Sequence, residues 1–588
     1  MFKGMVRKSR VEDICFAVGV LVISWVMLFS KAPYRLDFKE QISIFLLGAD
    51  RVNLYLSNPA VVSSVVGDWL TQFYTVRFMA ATLSVLLLAA VYTGLVRFFR
   101  LSEPERPDSL VLMAVPILFE GYFITFPNYP VSATVGLAVS IWAACALAHL
   151  KDSKLGYVIY GLSVPIMFVI AGSHALTMAL LLAFLKRKDG ISSIISVAAG
   201  IVLMMIAGRL YNLTLLQTFL FPVYPGYINP HNSLMMLIPW IALAVTILSL
   251  YYDRYLDSVQ KNWMLPVVLI ICTSVSSVLR NDELERTVKI GTLAYRNEWK
   301  EVKEMASSDK NCLYKNYYWN LCNAREGRLA DGLLEGGWGR SSDILFLSTT
   351  KGDPYFSMMY FTDALLEIGD VSQATDCALL AQTIMPGHYS TRMLRRLAQI
   401  AVVTADYDVA RKYLNILMRT RNHKAWARNL MDCIESDNIP EQYLTWRSRT
   451  APVDRFFGQG DTQSSLSIIA KEVPYNNVAI DYLLCSCLLD KKINTFISLY
   501  NEYYLDALDR IVKVPDLYQE ALLVNVNSKE SLIETVQKYH LSQKVVDNYV
   551  NLLDARAKSE NPKNLLTKDA VGTYWNYIMA VRFNNAEQ

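Results

Sequence analysis

Several things are missing from this 588-residue chain. There is no Walker A loop, no GxGxxG after a strand, no HExxH and no GxSxG, so the usual nucleotide-binding, zinc-protease and hydrolase signatures give no foothold. Nine cysteines contain no CxxC pair, which removes the common zinc spacing. The formal net charge is only +4, too small to leave the basic footprint of a nucleic-acid partner. Charged residues make up 19% of the chain, and the first half carries few of them. Chemistry must therefore be sought among polar groups set where an apolar surrounding makes them costly.

What is present divides into two unlike halves. Residues 1–279 are a string of long apolar runs and 280–588 are charge-rich with helical periodicity. A spanning helix needs about 20 mostly apolar residues, which predicts about nine spans, at 12–30, 78–96, 110–126, 131–150, 156–172, 173–186, 191–210, 233–252 and 263–279. The fifth and sixth are short and separated only by Gly172-Ser173, so a hairpin that does not fully cross is the other reading of that pair. Basic residues before the first run (Lys3, Arg7, Lys8, Arg10) fall on one side with Arg97, Arg100, Arg106, Lys151, Lys154, Lys186, Arg187, Lys188, Arg254 and Lys261. The positive-inside rule makes that side cytoplasmic. The amino terminus is then inside and residues 280–588 outside, which for a bacterial inner membrane means the periplasm. The apolar core of the first run, about 18 residues, is longer than that of a signal peptide, so a retained helix is expected. The expected fold class is all-α: a polytopic bundle over 1–279 with an outward loop at 31–77, then a soluble α-solenoid.

The second half supports that last expectation through a repeated pattern. Ala364–Ala374 reads as helix, Gly-Asp turn and second helix, and Ile400–Ala410 repeats it with Ala-Asp. From Ala374 to Ala410 is 36 residues, near the tetratricopeptide period of about 34. Weaker copies occur at 295–299 and 488–492. The pattern resembles tetratricopeptide helix pairs over about 285–425, and such a stack is usually a protein-binding surface. Six of the nine cysteines lie in this half, where they read as small buried helix residues.

Candidate site residues come from the membrane half. Asp37, Glu40 and Gln41 follow the first run; in a helix over 36–48 they share one face by i, i+3, i+4 spacing. Two carboxylates there suit a general base or a divalent cation, although a solvated polar face, with Arg35 and Lys39 as ion partners, suits the same spacing. Glu120 sits inside an apolar run, where an ionisable group is a functional candidate. His174 lies beside the 172–173 turn and reads equally as a satisfied buried histidine. Arg209 ends the seventh run, and His231 sits in the loop at about 211–232.

Two resemblances follow. The plan resembles the GT-C class of membrane glycosyltransferases, in which acidic residues follow the first helix, a long outward loop separates the seventh and eighth, and a soluble domain lies outside. Here Asp37 and Glu40, the 211–232 loop and residues 280–588 take those places; the carboxylates read Asp-x-x-Glu rather than an adjacent pair. The resemblance implies a lipid-linked sugar donor, with Asp37 and Glu40 catalytic and Gln41, Glu120, His174, Arg209 and His231 binding substrate. Second, Glu40-Gln41, Gly67–Tyr74, Tyr518–Ala521 and Thr573–Trp575 are similar to a family of Bacteroidota membrane proteins with tetratricopeptide-like tails, which implies an envelope location. Two functions follow: a transferase working on lipid-linked sugar, or a membrane-anchored scaffold for envelope protein assembly or transport, binding envelope proteins through 280–588.

Overall fold

The computed structural model describes residues 2–102, 114–151, 153–188, 191–222, 244, 282–309, 312–335, 341–347, 354–385, 389–452, 462–505, 513–558 and 572–580. All regular structure among them is helical. The chain forms two compact units. The first comprises Met1–Val288 with Ile384–Arg392 and Met418–Lys424; the second comprises Lys289–Thr383, Met393–Leu417 and Ala425–Gln588.

In the first unit the helices are α1 (Phe2–Lys31), α2 (Pro33–Gln41), α3 (Ala49–Leu56), α4 (Val61–Thr71), α5 (Arg77–Ser102), α6 (Ala114–Ile124), α7 (Val131–Leu147), α8 (Lys154–Ala171), α9 (His174–Leu185), α10 (Ile191–Leu210) and α11 (Leu215–Leu220). Only α5, α8 and α10 are both long and apolar enough to cross a membrane. A fourth span exists if α1 and α2, bent by 73° at their junction, count as one. The expectation of nine is therefore corrected among the described residues. Helix α7 has 17 residues and α9 only 12, and at 1.5 Å rise per residue α9 reaches about 18 Å of the roughly 30 Å needed. Gly172, with φ +65, ends α8 and lets the chain turn straight into α9. The expected spans 233–252, apart from residue 244, and 263–279 lie outside the described residues.

The segment expected to be one helix over 36–48 is helical only to Gln41, and the next helix begins at Ala49. Pro33 fixes the first turn of α2, and residues 42–48 leave the helical conformation before α3 begins. Packing of α4 on α7 depends on Gly67: a Cβ there would lie 2.6 Å from the Ser132 backbone nitrogen.

The second unit is built from helix pairs that share one turn. Left-handed residues stand at Asn297, Gly327, Gly369, Ala405, Asp437 and Lys491. After each, the next backbone N–H donates to the carbonyl five residues back: Glu298 to Leu293, Arg328 to Asn323, Asp370 to Leu365, Asp406 to Ala401, Asn438 to Cys433 and Lys492 to Cys487, all 2.8–3.0 Å. This is the Schellman closure, which satisfies carbonyls that a helix end leaves open. At two turns an aspartate also starts the next helix: Asp370 Oδ1 accepts from the Gln373 N–H at 3.0 Å and Asp406 Oδ1 from the Val409 N–H at 3.2 Å. Ala374 and Ala410 are fully buried, and so are Cys377 and Cys485.

Candidate functional site

The short helix α2 organises the polar interior of the first unit. Arg35, Asp37, Lys39, Glu40 and Gln41 are all buried, none more than 6% exposed. That is not the solvated face of an interfacial helix. Burying so many charges is tolerable only if each finds a partner. At the amino end, where Ala32 offers no side-chain cap, the carboxylate of Glu285 substitutes. Its Oε1 accepts from the Tyr34 N–H (2.8 Å) and its Oε2 from the Arg35 N–H (3.3 Å) and Arg35 Nε (3.1 Å). An anion there also faces the positive end of the helix dipole.

Asp37, Glu40 and Gln41 do share a face, as their spacing predicted. Gln41 Nε2 donates to Asp37 Oδ2 at 3.4 Å, and Gln41 Oε1 accepts from Arg392 Nη1 at 3.1 Å. Glu40 Oε1 accepts from Asn422 Nδ2 at 3.0 Å and lies 3.0 Å from His423 Nε2. The hydroxyls of Thr391 and Ser390 donate to the Glu40 and Gln41 carbonyls at 3.0 and 2.7 Å. The Glu40 carboxylate is thus held by Asn422 and His423, and Asp37 by Gln41, itself held by Arg392. Among the described residues no group of three or more His, Cys, Asp or Glu side chains could hold a metal ion.

Lys39 leaves α2 in another direction. Its ammonium donates to the Phe126 carbonyl (2.8 Å) and to the Tyr129 carbonyl, and interacts electrostatically with Glu120. Glu120 is fully buried; its Oε1 accepts from Tyr129 Oη (2.8 Å) and Thr134 Oγ1 (2.6 Å), and Oε2 has no hydrogen-bond partner among the described residues.

Lys39 and Tyr129 both line a cavity of about 200 Å³. Asp68 and Arg51 line it too, from α4 and α3. Asp68 Oδ2 accepts from Tyr55 Oη at 2.6 Å and from Arg51 Nη2 at 3.3 Å, whereas Oδ1 accepts no hydrogen bond among the described residues. Burial raises the Asp68 carboxyl above its ordinary range, against the opposing pull of Arg51 and Tyr55. The Arg51 guanidinium carbon lies over the rings of Tyr55 and Tyr389, 4.8 and 5.0 Å from their centroids. Its Nη2 also donates to the Ile44 carbonyl at 3.2 Å.

The sequence-predicted residues therefore fall into separate places. Asp37, Glu40 and Gln41 form one cluster and do not line the cavity; Glu120 stands behind its wall, through Tyr129. His174 is buried near Thr177, with Nδ1 3.4 Å from Oγ1, and is not among the cavity-lining residues. Arg209 is exposed at the end of α10. His231 lies outside the described residues. Sequence reasoning missed Arg51, Tyr55, Asp68, Arg392, Asn422 and His423. A signal for Asp68 was available: it is the only charged residue of α4, the criterion that selected Glu120.

The helices and this site define an all-helical protein with segments long and apolar enough to cross a membrane. The chain belongs to a family of unknown function, DUF6057, whose match covers residues 9–580. No curated protein and no solved structure matches it.

Proposed function

We propose that this protein is a GT-C-like glycosyltransferase of the bacterial inner membrane, with its amino terminus cytoplasmic and residues 280–588 periplasmic, taking sugar from a lipid-linked donor. The observation that carries the reading is the cavity where a carboxylate with one unengaged oxygen (Asp68), a guanidinium (Arg51) and an ammonium (Lys39) converge. Asp68 Oδ1 accepts the proton of an acceptor hydroxyl as that oxygen bonds to the anomeric carbon. The bond from that carbon to the phosphate oxygen breaks, and the lipid phosphate leaves with the electron pair. Arg51 and Lys39 stabilise its charge. Asp68 takes the role first expected of Asp37, because Asp37 and Glu40 are committed to Gln41, Asn422 and His423. Those two hold α2, and with it Lys39, in place.

A positioned base contributes about 10²–10⁴-fold in rate. Asp68→Asn should lower sugar transfer to envelope glycan by that factor at unchanged protein abundance, and full activity of this variant would reject the assignment. The second reading is the tetratricopeptide-like scaffold binding envelope proteins, favoured by the six similar turns of the second unit. It predicts a silent Asp68→Asn and defects from surface changes within 280–588.

A further inference from the structure

The second unit gathers arginines around a buried acidic pair. Asp363 and Glu367 stand one turn apart on the helix Pro354–Ile368, and both are buried. Arg396 pairs with Asp363, and Arg325 and Arg449 both pair with Glu367. Arg449 Nη1 donates to Glu367 Oε2 at 2.9 Å and to the Glu367 carbonyl at 3.1 Å. A fourth guanidinium, that of Arg395, lines the same pocket as Arg325, Arg396 and the two carboxylates. Arg395 is half-buried and makes no ion pair or hydrogen bond among the described residues. Its guanidinium carbon lies over the rings of Tyr295 and Trp426, 4.9 and 4.5 Å from their centroids, contacts that position it without using its N–H donors. Four guanidiniums thus stand against two carboxylates, a surplus of two positive charges. Burial pulls Arg325 down to about 10; Cys322 and Asp363 oppose the shift, while Arg449 and Arg396 add to it.

The repeated pairing of helices brings these groups together. Tyr295 ends the helix Asp282–Tyr295, Arg325 ends Lys315–Arg325, Asp363 and Glu367 lie near the end of Pro354–Ile368, and Arg395 and Arg396 lie on Thr391–Val403. Each of these helices precedes one of the left-handed turns described above, so equivalent helices of four successive pairs meet at one pocket. It encloses about 20 Å³, room for about one water-sized group, so it admits the end of a side chain and not a whole small molecule. We propose that this pocket docks an acidic segment of a protein partner, one Glu or Asp carboxylate entering it to bond the Arg395 guanidinium. A carboxylate offers two oxygens in a plane, which matches the guanidinium fork. A neighbouring acidic residue of the same segment answers the second surplus charge. A stack of helix pairs is usually a protein-binding surface, and charge complementarity specifies the kind of protein segment this one accepts. The inference deepens the scaffold reading and is independent of the transferase chemistry.

The test titrates the full chain, purified in detergent, against two rhodamine-labelled peptides at low salt. These are tetraglutamate and tetraglutamine, each amidated at its carboxyl end, and binding is read by fluorescence anisotropy. Tetraglutamate should bind and tetraglutamine should not. Arg395→Gln removes charge-assisted hydrogen bonds to the ligand and should weaken tetraglutamate binding about tenfold. Arg395→Lys, which keeps the charge without the planar fork, should fall between. Gln399→Glu provides a second variant of nearly unchanged shape: Gln399 lines the pocket, and a carboxylate there should repel the probe and weaken binding as well. Arg411→Gln removes the same charge from an exposed pair elsewhere in the unit and should leave binding unchanged. Equal binding of the two peptides, undiminished binding in Arg395→Gln or Gln399→Glu, or an equal loss in Arg411→Gln would overturn the site. Displacement of the peptide by acetate at the peptide's own concentration would also overturn it, leaving a small-anion pocket. Arg395-dependent binding without any envelope defect of Arg395→Gln in cells keeps the site and rejects the scaffold reading; a defect from other surface changes within 280–588, without Arg395-dependent binding, does the reverse.

Discussion

Helix α2 and the helix pairs of the second unit handle polar groups in opposite ways. In α2 five charged or amide side chains in nine residues are buried, and four of them bond partners far along the chain: Arg35 to Glu285, Lys39 to the Phe126 carbonyl, Glu40 to Asn422 and His423, and Gln41 to Arg392. In the helix pairs the decisive polar contacts are local: a left-handed residue, a backbone bond spanning five residues and, twice, an aspartate three residues before the N–H it caps. The first arrangement is specific and costly to disturb, since a buried charge that loses its partner cannot be rehydrated. The second distributes small contributions over many repeats of one motif.

The largest test of this contrast is Arg392→Leu. Arg392 is 1% exposed and donates to Gln41; removing it strands the Gln41 amide oxygen, whose nitrogen holds Asp37. The full chain should lose about 1–3 kcal/mol, the usual cost of leaving a buried polar group without its partner. Arg411→Leu in the second unit, where the partner Asp408 is almost fully exposed, should stay within about 0.5 kcal/mol. Thermal unfolding of the two variants side by side decides the matter, and equal losses would remove the distinction.

One half-buried carboxylate of the second unit sharpens the comparison, because its hydrogen-bond partner is a tyrosine rather than a cation. Asp481 accepts from Tyr518 Oη at 2.8 Å, and burial pushes its pKa from 3.8 up to about 7, helped by the nearby Asp331. The folded state then holds a proton that the unfolded chain has released. Stability is fully present below about pH 4 and falls as the pH rises to about 7, by about 1.4 kcal/mol per unit within that window. Glu520, also pushed up to about 7 by burial, acts in the same direction. Asp481→Asn keeps an acceptor for Tyr518 and cannot ionise, so the decline between pH 4 and 7 should shrink to the part that Glu520 and other carboxyls raised by burial, Asp68 among them, contribute. An unaltered slope in a pH series of melting curves would show that Asp481 stays charged when folded.

A middle-sized effect is expected where paired helices meet. Ala374 is fully buried and stands at the small position of its helix; Ala374→Leu should overpack it at a cost of about 1–3 kcal/mol. Ala410→Leu should behave alike if the two pairs are equivalent, and a melting temperature that ignores both changes would deny their common register.

Legibility in the sequence follows the same division. The helix pairs around 374 and 410 could be read, because the signal is local and the Gly-Asp and Ala-Asp turns spell it out. The turns at Gly327 and Asp437 carry the same geometry with less distinctive residues and escaped notice. The shared face of Asp37, Glu40 and Gln41 was also readable from spacing. Its burial was not, since spacing says nothing of the segments 389–392 and 422–423 that cover it. Composition foretold helices able to cross a membrane. It overcounted them because an apolar run records burial as readily as bilayer contact: α9 is apolar and mostly buried, yet too short to span.

The smallest predicted effects separate backbone strain from crowding at the repeated turn. Gly327 and Gly369 both have positive φ, at +68 and +92. A Cβ at Gly327 meets nothing within 4 Å, whereas one at Gly369 would lie 2.2 Å from the Arg449 carbonyl oxygen. Gly327→Ala therefore carries only the left-handed strain of about 1 kcal/mol, and Gly369→Ala should cost distinctly more. Ala405 already bears that strain, at φ +60. Ala405→Gly relieves it and surrenders about 0.4–1 kcal/mol by loosening the unfolded chain, so the two terms nearly cancel. The expected outcome is a melting temperature unchanged or raised slightly. A clear fall would mean that the Ala405 methyl group contributes packing that outweighs the strain, and that this turn is not interchangeable with those at Gly327 and Gly369.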